Sequence, residues 1–136
     1  MSIQARKDIV DLRSALNEFD RAFRDWIKSQ SVEGYNETKD MLILISNDFE
    51  HIKLEYEEET LKIAENIVAE YFSGILKNMP DAAINGVCNL WTHCSQEIDG
   101  NVIIALVAAL RRLPAEKYQA LEKWEPILLD PLKEPL

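Results

Sequence analysis

The sequence predicts an all-α fold: a single-domain antiparallel bundle of five to six helices, closed by an extended, proline-containing tail. Three observations carry that expectation. Apolar residues recur at helical spacing through most of the chain. Only four glycines and five prolines interrupt 136 residues. The apolar fraction, 47%, is too high for a disordered chain and enough for one core. The domain is expected over residues 1–125 and the tail over 126–136. An α+β fold with a hairpin at about 41–56 is the alternative.

The first helix is read from Ile3 to Gln30. Ile9, Leu12, Leu16, Phe19, Phe23, Trp26 and Ile27 form a stripe, with no Gly or Pro inside it. Gly34 serves as the expected breaker. The second segment, Asn36 to Tyr56, admits two readings. Met41, Ile45, Phe49, Ile52 and Tyr56 keep helical spacing, with Asn36 or Thr38 as cap. Against that, residues 41–45 form a continuous apolar run, and Ile52, Leu54 and Tyr56 alternate with polar residues. The helix is favoured, because the stripe is longer than the alternation and no Asn-Gly or Asp-Gly turn lies within 41–56.

A third helix spans Glu57 to Asn78 and stops before Pro80, since the residue preceding proline is pushed out of the α region. A fourth runs from Asp81 to about Ile98, with Ala83, Val87, Leu90, Trp91, Cys94 and Ile98 on its apolar side. Gly100 is read as its C-terminal glycine. A fifth, Asn101 to Leu113, is apolar on nearly every side and belongs at the centre of the fold. A sixth extends from Ala115 to Trp124 or Glu125. Beyond it, Pro126, Pro131 and Pro135 point to an extended tail, in which Leu128, Leu129, Leu132 and Leu136 either fold back on the domain or face another chain.

Compartment follows from what the N-terminus and the apolar runs offer. Charges arrive at Arg6, Lys7 and Asp8, before any apolar block, so no secretory signal is expected. The longest apolar run, Val102 to Leu110, is less than half of the roughly twenty residues a membrane span needs. Cys88 and Cys94 would lie about 240° apart on one helix, too far round for a disulfide. A cytoplasmic protein with free thiols is expected.

Catalytic sets are hard to assemble. There are two histidines, His51 and His93, and no Gly-x-Ser-x-Gly elbow. The four glycines are isolated, which removes the phosphate-binding loops. Asp48, His51 and Glu55 share a helix face at i, i+3 and i+7, yet a bundle di-metal site needs a second Glu-x-x-His. No catalytic residue, metal or cofactor is assigned.

Charge is the distinctive feature. The net charge is −9, which argues against direct binding of nucleic acid. Residues 41–78 hold eight acids against three lysines, a net of −5. A focused acidic face raises the encounter rate with a basic partner. The expected function is therefore a non-enzymatic acidic protein-binding domain that docks on or inhibits a basic macromolecule, with the charge logic of an immunity protein, an antitoxin or another inhibitor. Asp48, Glu55, Glu57, Glu58 and Glu59 are the expected contacts. The alternative is a helical bundle that binds a small apolar ligand or cofactor in its core. An enzyme without a recognisable motif comes third.

Overall fold

The computed structural model describes residues 2–130. Among them are seven α-helices, one short 3₁₀ turn and no strand. The all-α expectation holds, and residues 41–55 are helical, so the hairpin alternative falls. The chain divides into two compact units, Met1–Ile67 and Val68–Leu136.

The first unit is a long helical hairpin followed by the start of a third helix. Helix α1 (Ile3–Ser29) is capped by Ser2, whose hydroxyl accepts the Ala5 N–H at 3.0 Å. Helix α2 (Val32–Glu55) runs antiparallel to it: Arg21 near the end of α1 meets Glu37 near the start of α2, and Asp8 meets His51. The stripe residues fill the seam, where Leu12, Leu16, Phe19 and Phe23 face Leu42, Ile45, Phe49 and Ile52, all at most 1% exposed. Burying side chains of this size is worth roughly 1.5–3 kcal/mol each.

The α1–α2 turn differs from the expected one. Gly34 is not a breaker but lies in the first turn of α2. The reversal is made instead by Gln30, which adopts the left-handed conformation (φ 50°) and gives its N–H to Trp26. Ser31 then caps α2 by accepting the Gly34 N–H at 3.0 Å. Glycine is needed at 34 for space: an added Cβ would stand 3.0 Å from the Trp26 Cα. Trp26 in turn meets the Tyr35 ring edge-on at 5.4 Å.

Tyr56 is extended (φ −128°, ψ 165°) and ends α2. Helix α3 (Glu58–Leu76) follows almost at once, beginning in the first unit and ending in the second. Glu58 and Glu59 lie in its first turn, where they suit the positive end of the helix dipole.

In the second unit, α4 (Asp81–His93) gives way to the 3₁₀ turn Ser95–Glu97, earlier than the sequence predicts. Asp99, not a terminal glycine, marks the next boundary: its carboxylate accepts the Asn101 N–H at 2.9 Å and caps α5 (Gly100–Arg111). Helix α5 buries seven residues, including Val102, Ile103, Leu106 and Leu110, but it is not enclosed all round: Ile104 is 53% exposed. Trp91 of α4 is fully buried and meets Phe72 edge-on at 4.9 Å. Lys117 caps the end of α3 by donating to the Lys77 and Met79 carbonyls at 3.0 and 2.7 Å.

The expected sixth helix is two short ones, α6 (Ala115–Leu121) and α7 (Trp124–Leu129). Residues 126–129, expected as extended tail, are helical. Pro126 sits in the first turn of α7, where its missing N–H costs no helical hydrogen bond. The Trp124 indole donates to Asn85 at 2.5 Å, and Glu125 pairs with Arg111 and accepts the Tyr118 hydroxyl at 2.6 Å. Leu128 is buried. Residues 131–136, with Leu132 and Leu136, lie outside the described residues. No described helix is long and apolar enough to cross a membrane.

Candidate functional site

The corner between α2 and α3 carries the most distinctive polar chemistry of the first unit. A cleft of about 380 Å³ opens there. Its apolar surface comes from Ala5 of α1 and Ile63 of α3, and Ser2 and Thr60 add hydroxyls. Glu55, Glu57 and Glu59 line it and are exposed to solvent. Tyr56, between them in sequence, lines it as well. Among the described residues, no lysine or arginine pairs with Glu55, Glu57 or Glu59.

Beside the cleft is a hydrogen-bonded network centred on Asp8, which is only 8% exposed. Its carboxylate accepts the Tyr56 hydroxyl, the Gln4 amide at 3.1 Å and the His51 imidazole, whose Nε2 lies 3.1 Å away. The Tyr56 hydrogen bond is the main reason the Asp8 carboxyl titrates below its ordinary value, and the Gln4 and His51 contacts add to it. The same bond, with burial second, pushes the Tyr56 hydroxyl up to about 12. The imidazole and phenol rings stand edge to face, 6.4 Å apart.

A carboxylate-oriented imidazole is one half of a general-base device. Here, however, the hydroxyl on the same carboxylate donates to Asp8 and not to the imidazole. The arrangement holds an anion among donors and does not place Tyr56 as a nucleophile on the imidazole. Among the described residues, no three His, Cys, Asp or Glu side chains come together to hold a metal ion.

The structure brings together some of the acids singled out in the sequence and separates others. Glu55, Glu57 and Glu59 share the cleft. Glu58 points to Lys62, 3.7 Å away, in an exposed i,i+4 pair, and is not among the lining residues. Asp48 lies seven residues before Glu55, about 10 Å back along α2. It is half-buried, and burial, with Asp11 and then Asp8 as like charges, raises its carboxyl above the ordinary value despite the opposing pull of His51. The sequence reading missed Asp8 and Tyr56 as polar partners. Their contact spans 48 residues, so no local spacing announces it.

The chain matches no protein-family model, no curated protein and no solved structure.

Proposed function

We propose that this chain is a non-catalytic, acidic binding protein that docks on a basic macromolecule, as inhibitors, antitoxins and immunity proteins do, through the α2–α3 corner. The observation that carries the reading is the cleft at which Glu55, Glu57 and Glu59 are exposed without a basic partner among the described residues. Some other acids are already engaged: Glu18, Asp25 and Glu37 surround Arg21, and Asp20 pairs with Arg24. What sets the three apart from further exposed acids such as Asp11, Asp40 and Glu50 is that they converge on one cleft. Unpaired carboxylates beside apolar surface gain more from an incoming cation than acids already neutralised by a neighbour. Ile63 and the Tyr56 ring, both half-buried, supply the apolar contact that the stem of a lysine or arginine covers.

The test is affinity capture at low salt from the cells that make the protein, comparing the wild-type chain with the Glu55→Gln, Glu57→Gln, Glu59→Gln triple variant. The reading expects a basic protein that the wild type retains, and that both the triple variant and high salt release. Recovery of no basic protein by the wild type would sink it.

A further inference from the structure

Tyr56 belongs to both the cleft and the buried network. Its backbone is the break between α2 and α3, held on the α2 side by its N–H to Ile52 at 3.1 Å. The next helical bond runs from the Leu61 N–H to the Glu57 carbonyl, also 3.1 Å. Between those two bonds the backbone has the freedom of a helix junction, where several N–H groups lack intrahelical partners. All three cleft glutamates lie within three residues of this junction. What ties it to α1 is the Tyr56 hydroxyl on Asp8, and Asp8 is in turn held by Gln4 and faced by His51.

We infer that Asp8 is a positioning residue for the acidic corner: by holding Tyr56, it latches the α2–α3 junction so that Glu55, Glu57 and Glu59 stand around one cleft in a fixed arrangement. The inference deepens the docking reading and rests on it for its purpose, but not for its geometry. Asp8 is nearly buried, lies on another helix and is absent from the cleft lining. It acts on any ligand only through Tyr56. A preorganised acid set binds a cation more tightly than a mobile one, because less freedom is lost on association.

The test uses the full chain and two readouts. In Tyr56→Phe the ring stays and the latch bond goes. Backbone NMR order parameters at Glu57–Thr60 are expected to fall from the rigid range, near 0.85, to below about 0.6, while those of Leu12–Phe23 stay rigid. Asp8→Ala does the same. Asp8→Asn keeps an acceptor for the hydroxyl and restores rigid values. A bond that merely added global stability would leave the native-state order parameters unchanged.

Oligolysine supplies the second readout. Tyr56→Phe is expected to weaken its binding about twofold to tenfold. The salt dependence stays the same, because no carboxylate has been removed. The Glu55→Gln, Glu57→Gln, Glu59→Gln variant instead flattens that dependence. If oligolysine fails to bind the wild type, the docking reading is overturned and the order parameters alone decide the latch. If it binds and Tyr56→Phe leaves the junction rigid, the latch is overturned and the docking reading stands.

Discussion

Gly34 approaches Trp26 so closely that a methyl group on its Cα would stand 3.0 Å from the Trp26 Cα and 3.1 Å from its Cβ. The antiparallel hairpin of α1 and α2 depends on that approach. Gly34→Ala is expected to destabilise the protein by about 1–3 kcal/mol, because backbone must move to admit the methyl. Gly74 in α3 is the control, with nothing within 4 Å of an added Cβ. There alanine removes backbone freedom from the unfolded chain, and Gly74→Ala is expected to stabilise by about 0.5–1 kcal/mol. Urea denaturation of both variants checks the opposite signs.

The Asp8–Tyr56 bond acts at both ends of the pH scale. Asp8 titrates below its ordinary 3.8 in the folded protein, so its contribution is present above 3.8 and is lost as pH falls through the lower folded value. Tyr56 retains its proton until about 12 instead of 10, so its contribution is present below 10 and is lost as pH rises toward 12. In Asp8→Asn both effects shrink together. A spectrophotometric titration is expected to show one tyrosine moving from about 12 back toward 10.

Asp48 has the opposite sign. Its folded carboxyl titrates above 3.8, so ionisation costs stability as pH rises through that range, and the full cost remains at neutral pH. Asp48→Asn is expected to stabilise the protein at neutral pH by about 0.5 kcal/mol, and to lose that advantage in acid. Thermal melts at neutral and acidic pH separate the two regimes. Since Asp48 is apart from the cleft lining, the same variant is expected to leave oligolysine affinity within twofold of wild type.

Both cysteines are buried, and burial pushes the Cys88 thiol up to about 12. Neither thiol is open to solvent, and Cys88 keeps its proton at neutral pH. Thiol-reactive dyes are expected to label the native protein at the rate at which it opens, and both sites promptly in denaturant. Fast labelling of either native thiol would contradict the packing around Trp91 and Cys94.

How far the sequence foretold this structure depended on the range of the interaction. The α1 stripe from Ile9 to Phe23 was legible because helical packing repeats every three to four residues. The same signal resolved 41–56, where Ile45, Phe49 and Ile52 outweighed a short alternation. Boundaries were less legible. Gly34 and Gly100 read as punctuation, yet their neighbours Ser31 and Asp99 supply the caps. Pro126 read as a helix stop, but a first-turn proline is compatible with α7. The acidic run at Glu55–Glu59 was visible as composition. Which acids share a cleft was not, because a side chain's direction at a helix junction depends on the tertiary bond from Tyr56 to Asp8.

The docking claim is tested most directly by titrating the isotopically labelled chain with oligolysine at low salt and following backbone amide shifts by NMR. The account predicts the largest changes at Glu55–Ile63 and Ser2–Ala5, with small changes around Arg21, whose acids are already paired. Shifts spread evenly over all acidic surfaces, or centred on the Arg21 cluster, would contradict it.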